Sequence, residues 1–586
     1  MTNLETTMIQ LSHVSYTYQL SHGSGIKAIR DLSLEIREGE FVAVIGQNGS
    51  GKSTFGKLLN ALLIPDSGEV MIAGMNTKDL QKHTAIRSLV GMVFQWPHDQ
   101  IVSTIVAEDV AFGPSNLGLE PREIRRRVEE ALAVVGLSGY EERPSYLLSA
   151  GETQRLALAG VLAMKPSCVI FDETTSMLDP LGREMVMQQA KALRAQGITI
   201  LFITHLMEEA AQADRVIALH NGRLAMDGSP AKVFASRQAL RQIGLDQPEA
   251  MLLGEALRPY IPSIPSPTLT MDELISSIPR RRKTQDSTSL SSESLAKPAQ
   301  GEEVIIVEGL AHTYLRDTPL AHQSLDNVNL LVSQGSAHGL LGATGSGKST
   351  LLQHLNALIR PQRGRVIVLG EDLGSKSLNP KELRRQVGLS FQQAEDYIFE
   401  QYVGDEVAFA AKNFGIEEKL IDVVREAMEA VGLDFNAFKD RFTSTLSGGE
   451  LRKVALASAL AGQPRVLLLD EPLAGLDPQS RVEISAHLKG LNDGGMTLVI
   501  SSHQFDDLLE IIGEVSVLDK GIDVLSGSAE DIFGNAHQLE GYGFKPPAIF
   551  MLAQALREKG WLSAVGVKNV GQLITSLQAK TESVAG

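Results

Sequence analysis

The chain has 586 residues, 43% of them hydrophobic, and a formal net charge of -16. That length is too great for one core and predicts at least two domains, and the charge argues against sequence-independent nucleic-acid binding, which needs clustered Lys and Arg to replace counterions. The one basic run, Arg280 to Lys283, lies in a Ser- and Pro-rich segment and reads as solvated linker. A single cysteine, Cys168, set in the apolar run CVIFDE, excludes disulfide frameworks, zinc clusters and iron-sulfur ligation and reads as a buried small hydrophobe. The longest unbroken apolar run, Leu156 to Met164, is far short of the roughly 20 residues a membrane-spanning helix needs, so no span is expected.

In chain order, the N-terminal MTNLETTMIQLSHVSYTYQ alternates polar with apolar residues, which predicts a first strand and not a secretory signal. FVAVI, from Phe41, reads as a buried strand, GQNGSGKST from Gly46 as a glycine-rich loop, and FGKLLNALL as the helix after it. Gly46, Gly49 and Gly51 permit a tight loop, with Asn48 and Thr54 beside it, whose backbone amides face phosphate oxygens at the positive end of that helix. Lys52 would reach the β- and γ-phosphates and Ser53 would hold Mg²⁺. CVIFD then reads as a second buried strand, whose terminal Asp172 would sit rigidly beside the loop as a metal ligand, with Glu173 aimed at the γ-phosphate as base.

The same set returns. Lys348 follows Lys52 by 296 positions, Gln392 follows Gln95 by 297, and Glu471 and His503 follow Glu173 and His205 by 298 each, which predicts a tandem duplication. Gly342, Gly345, Gly347, Lys348, Ser349 and Thr350 repeat the phosphate loop, and Asp470 and Glu471 repeat the acid pair after VLLL. The expected division is a first domain over 1–262, a flexible linker over 263–303 that is rich in Ser, Pro and charge, and a second domain over 304–586. Alternating β and α segments predict an α/β fold with a mainly parallel sheet in each half.

LSGGE, Leu446 to Glu450, and LSAGE, Leu148 to Glu152, resemble the signature motif of the nucleotide-binding domains of ABC transporters, and the resemblance covers both halves almost end to end. It implies two P-loop ATPase domains, each with a helical subdomain and a short C-terminal helical extension, that bind ATP and Mg²⁺. His205 and His503 become the switch histidines, Gln95 and Gln392 the Q-loop glutamines and further metal ligands, Asp179 and Asp477 the D-loop acids, and Tyr18 and Tyr314 the adenine platforms, with core tyrosines as the alternative. In that family the signature of one domain closes over the phosphate loop of the other. One centre would thus join Lys52, Glu173 and His205 to Ser447, Gly448 and Gly449, and the other Lys348, Glu471 and His503 to Ser149 and Gly151. Ala150 replaces a signature glycine, and its β-carbon is expected to strain the backbone or crowd the phosphate and slow the second centre.

FQWPHDQI, from Phe94, followed by DVAFGPSNLGL, resembles the ATPases of energy-coupling-factor and cobalt-type importers; FQQAEDYIF, from Phe391, is a looser match with Ala394 and Tyr397 as departures. That resemblance implies a short helix after each Q-loop that meets a transmembrane scaffold subunit, with Trp96, Asp99, Glu395 and Asp396 as contact residues, although such acids can equally cap the helix. A small substrate-binding membrane subunit would complete the complex, on the cytoplasmic membrane face, with no nucleic-acid partner and the two halves pairing intramolecularly. The alternatives are a soluble double ATPase acting on the ribosome, disfavoured by the Ser-rich connector, and a nucleotide-gated scaffold without turnover. The tails from Ile243 and Tyr542 share a Gly, a Pro and an amphipathic helix, and read either as extensions that help ATPases pair or as core helices.

Overall fold

The computed structural model describes residues 7–19, 25–176, 178–281, 301–318, 320–393, 397–562 and 567–585. The chain forms two compact units. The first takes in residues up to Leu252 with Pro267–Thr270 and Asp477–Gln479, and the second takes in Leu253–Ser266, Met271–Leu476 and Ser480 onward.

In the first unit FVAVI forms the strand Phe41–Ile45, buried at all five positions. Phe41, Ala43 and Ile45 enter one hydrophobic core, and Val42 and Val44 enter another on the opposite face. An unbroken apolar run is thereby explained, since both faces of the strand are covered. Its sheet has the order Arg223–Gly228, Arg215–His220, Phe41–Ile45, Thr199–Ile203, Cys168–Asp172, Val90–Val93, parallel except for the hairpin at the first edge. The predicted N-terminal strand is Thr7–Gln19, which joins an antiparallel sheet with Gly25–Arg37 and Ser67–Ile72. Three helices, Val106–Asn116, Pro121–Val134 and Ala150–Leu162, pack on one another as a helical subdomain. The second unit repeats the plan, with Ala337–Gly342 central between Thr497–Ser502 and Glu514–Asp519, and Val466–Asp470 next in order.

Two expectations change. The helix after the first glycine loop runs Lys52–Leu59 and stops before the end of FGKLLNALL. Asn60 turns its side chain onto Val90 O at 2.8 Å, and Ala61 takes φ 54°, a left-handed conformation that ends the helix. The segment expected as a connector holds a helix, Met271–Ser277, and Ile264, Leu274 and Ile278 are buried in the same core as Leu552, Leu556, Leu573 and Leu577. Sparse apolar residues in a polar stretch were enough to dock it. Residues 282–300 of that connector lie outside the described residues. Among the described residues, no helix is long and apolar enough to cross a membrane.

Candidate functional site

The phosphate loop of the first unit joins strand Phe41–Ile45 to helix Lys52–Leu59, and Gly51 caps that helix at φ 101°. A β-carbon there would come within 2.5 Å of Ala28 O, so the turn requires glycine on both conformational and steric grounds. Gly347 repeats this at φ 102°. Lys52, almost fully buried, donates to Gly46 O at 2.9 Å and Gln47 O at 3.1 Å and pairs with Glu173 at 3.2 Å.

Glu173 is the meeting point. Gln95 Nε2 donates to its Oε2 at 3.3 Å, and His205 Nδ1 lies 3.7 Å from the same oxygen. In the second unit Lys348 lies 3.4 Å and His503 Nδ1 2.9 Å from Glu471, and Gln392 follows strand Val387–Ser390 in the place of Gln95. Burial pushes both glutamates up, but the Lys52 ammonium with the neighbouring His205, and likewise His503 with the Lys348 ammonium, outweigh it and hold each at about 2. Both also sit in the left-handed backbone region, at φ 49° and 48°. Strain of roughly 1–2 kcal/mol at the same position in two separate copies fits a side chain aimed for chemistry.

Asp172 accepts from Ser53 Oγ at 3.0 Å and is pushed up to about 6 by burial and by the adjacent Glu173 charge. Burial likewise raises Asp470, which accepts from Ser501 Oγ at 2.5 Å. A buried carboxylate beside a hydroxyl is a hard oxygen donor set that gains from a divalent cation, so these residues fit Mg²⁺.

Tyr18 and Tyr314 are 36% and 37% exposed, with their hydroxyls 3.3 Å from Thr54 and Thr350 Oγ1. Those exposures disfavour the core alternative. Asp179 caps helix Pro180–Ala195 by accepting from Gly182 N at 2.8 Å, and Asp477 stands just before the matching helix Pro478–Asp493. Ser149 and Ser447 cap the helices Ala150–Leu162 and Gly448–Leu460 in identical capping boxes with Glu152 and Glu450. Gly151 and Gly449 lie in the first turn of these helices. Ala150 is the first residue of its helix, a conformation any L-residue adopts, so the expected backbone strain does not arise.

After Gln95 the chain makes a short 3-10 helix, Pro97–Gln100, at the place where a short helix was expected. No side chain caps it, Asp99 is exposed, and Trp96 is half-buried. Glu395 and Asp396, with Ala394, lie outside the described residues. Sequence reasoning missed the purpose of the last residue of FQWPHDQ. Gln100 accepts from Phe94 N at 3.2 Å and donates to Met92 O at 3.4 Å and Ala157 O at 3.5 Å, clasping the Q-loop to the strand before it and to the helical subdomain. Tyr397 takes its place, donating to Phe391 O at 3.3 Å. The signal was present in the substitution itself, since both side chains can reach a backbone carbonyl. Two further acids, Asp109 and Glu406, were likewise overlooked; each accepts two backbone amides at the start of the segment entering the helical subdomain.

The ABC transporter family model matches residues 29–176 and 325–474. A protein of Caldanaerobacter subterraneus subsp. tengcongensis, whose name assigns it provisionally to the ABC transporter ATP-binding proteins, is 34% identical over 92% of this chain and 95% of its own length. A similarly named protein of Methanosarcina mazei is 32% identical over 98% of this chain and 97% of its own. The energy-coupling factor transporter ATP-binding protein EcfA1 of Clostridioides difficile is 48% identical over 46% of this chain and 97% of its own length. Two phosphate loops, two strained glutamates and two family matches agree: the chain belongs to the ABC transporter ATP-binding proteins, with two tandem ABC ATPase domains that bind and hydrolyse ATP.

Proposed function

We propose that the chain is a fused pair of ATPase subunits of an energy-coupling-factor importer for a vitamin, another small nutrient or a metal ion. The observation that carries this is the 48% identity to an EcfA1 protein over 97% of that protein's length. A protein that is one half of this chain in length and an energy-coupling-factor ATPase by name is what a fusion would be built from. The chain would lie on the cytoplasmic membrane face. Trp96 and Asp99, with Glu395 and Asp396 in the second half, would contact a transmembrane scaffold subunit that carries a substrate-binding membrane subunit. An exposed acid in a turn clasped by Gln100 suits this, because a bidentate arginine partner could pull on the Q-loop without the turn giving way.

Ser53, Asp172 and Gln95, and in the second half Ser349, Asp470 and Gln392, would hold Mg²⁺, which would supply charge neutralisation of the phosphates when bound. The chain's own residues do the rest. Lys52 gives up Glu173 for the incoming phosphates, and the buried carboxylate, relieved of that ammonium, rises toward a pKa suited to a general base. His205 and His503 hold the far oxygens of the two glutamates in place. By the family resemblance, ATP closes the halves and hydrolysis reopens them.

Fractionation of a lysate holding the tagged chain tests the reading. The chain is expected in the membrane pellet and to leave it on detergent extraction; sedimentation with ribosomes, or a wholly soluble chain, overturns it.

A further inference from the structure

Each half carries an extension helix toward its C-terminal end, Glu249–Leu257 in one and Ala548–Glu558 in the other. The first residue of each donates its backbone N–H to an acid three positions past the switch histidine. Glu249 N donates to Glu208 Oε1 at 3.1 Å, and Ala548 N to Asp506 Oδ1 at 2.8 Å. The residue types differ between the halves and the bond persists. A second link runs alongside in the second unit, where Phe505, between His503 and Asp506, stands 6.0 Å from Phe533, which stands 5.6 Å from Phe550 on the extension helix. The matching residues of the first unit, Met207, Phe234 and Met251, also share one core.

The inner side of the loop differs between the halves. In the first, buried Glu209 accepts from Thr204 Oγ1 at 2.5 Å and Thr175 Oγ1 at 3.0 Å, tying the histidine loop to the segment just after Glu173. In the second, Asp507 is one methylene shorter, lies 3.7 Å from Arg481, and faces no counterpart of Thr175, since Leu473 stands at that position 298 residues on. The Ser502 hydroxyl turns onto Gln504 O instead.

We infer that the C-terminal extensions position the switch histidines through Glu208 and Asp506, and that the His503 loop, where Leu473 and Asp507 replace the Thr175–Glu209 bond, depends on its extension more than the His205 loop does. Glu208 and Asp506 are positioning residues: each acts on the histidine through the loop and touches no substrate. The inference rests on ATP hydrolysis alone and stands or falls independently of what the ATPase drives.

Steady-state ATPase kinetics of the full chain test it by removing either end of the bond. The acceptors go in Glu208→Ala/Asp506→Ala. The donors go in Glu249→Pro/Ala548→Pro, because proline lacks the N–H and is tolerated at the first position of a helix. Each double variant is expected to lose about fivefold or more in kcat, with the KM for ATP unchanged, as misplacement of a catalytic group does. The quadruple variant loses no more than either double, since the two changes cut the same bonds. Glu208→Gln/Asp506→Asn, whose amide oxygens still accept, stays within about twofold of the starting rate, and Asp506→Ala alone costs more than Glu208→Ala alone. Unchanged kcat in a folded acceptor variant, a loss that falls on KM, losses that multiply in the quadruple variant, or an amide variant as slow as the alanine one would each overturn the inference.

Discussion

Glu173 and Glu471 combine burial, a left-handed backbone and a lysine partner, and nothing in a well-packed strand end requires that combination for stability. Replacing either by Gln is expected to lower ATP turnover, and replacing both to lower it by roughly a hundredfold or more while ATP binding persists. Equilibrium binding of a nucleotide to the double variant checks the second half of that statement. His354 offers a test unrelated to chemistry. It is fully buried, its Nδ1–H donates to Thr350 O at 2.7 Å, and burial holds its pKa down at about 4. The unfolded ring titrates near 6.5, so below that pH the unfolded chain takes up the proton first. The stability tied to a neutral His354 is complete above about pH 6.5 and is lost as the pH falls toward 4, about 3 kcal/mol at most. Leu58 stands at the matching place in the first half, 296 residues earlier, so His354→Leu should flatten the fall in melting temperature across that window. At this scale the sequence was most legible where chemistry is local. Lys52, Ser53, Asp172 and Glu173 are readable because a phosphate loop and a strand end need those residue types in that order, whereas Gln100 and Glu209 act through contacts across 57 and 34 residues that no motif spacing encodes.

Strands such as Phe41–Ile45 and Cys168–Asp172 were legible because burial on both faces demands an unbroken apolar run. The helix Met271–Ser277 was not, because it has one fully buried residue, Leu274, in a polar setting and takes its stability from the core it docks on. The difference is measurable. A residue in a free connector tolerates truncation within about 0.5 kcal/mol, whereas Leu274→Ala in a packed helix should cost about 2–5 kcal/mol in a denaturant melt. Around it, Lys559 Nζ donates to Ile278 O at 2.7 Å and Trp561 Nε1 to Pro279 O at 2.7 Å, so the chain from Met271 to Arg281 is held by the stretch that follows helix Ala548–Glu558 in the same unit.

For the molecule as a whole, two ATPase domains in one chain guarantee one of each half per assembly, and the halves have room to diverge, as Thr175 against Leu473 and Gln100 against Tyr397 illustrate. The two tandem domains were legible from register alone, since spacings near 297 hold from the phosphate loop to the histidine after each glutamate. The proposal of what the ATPase drives rests, in the sequence, on FQWPHDQI, a turn with an exposed Asp99 whose meaning would lie in a partner. The most direct test is affinity purification of the tagged chain from detergent-solubilised membranes, comparing the natural protein with an Asp99→Arg/Asp396→Arg variant. The importer account predicts a co-purifying multi-span membrane protein that is lost in the variant while ATP binding stays intact. A natural protein that brings down no membrane protein, or a variant that keeps its partner in full, would contradict it.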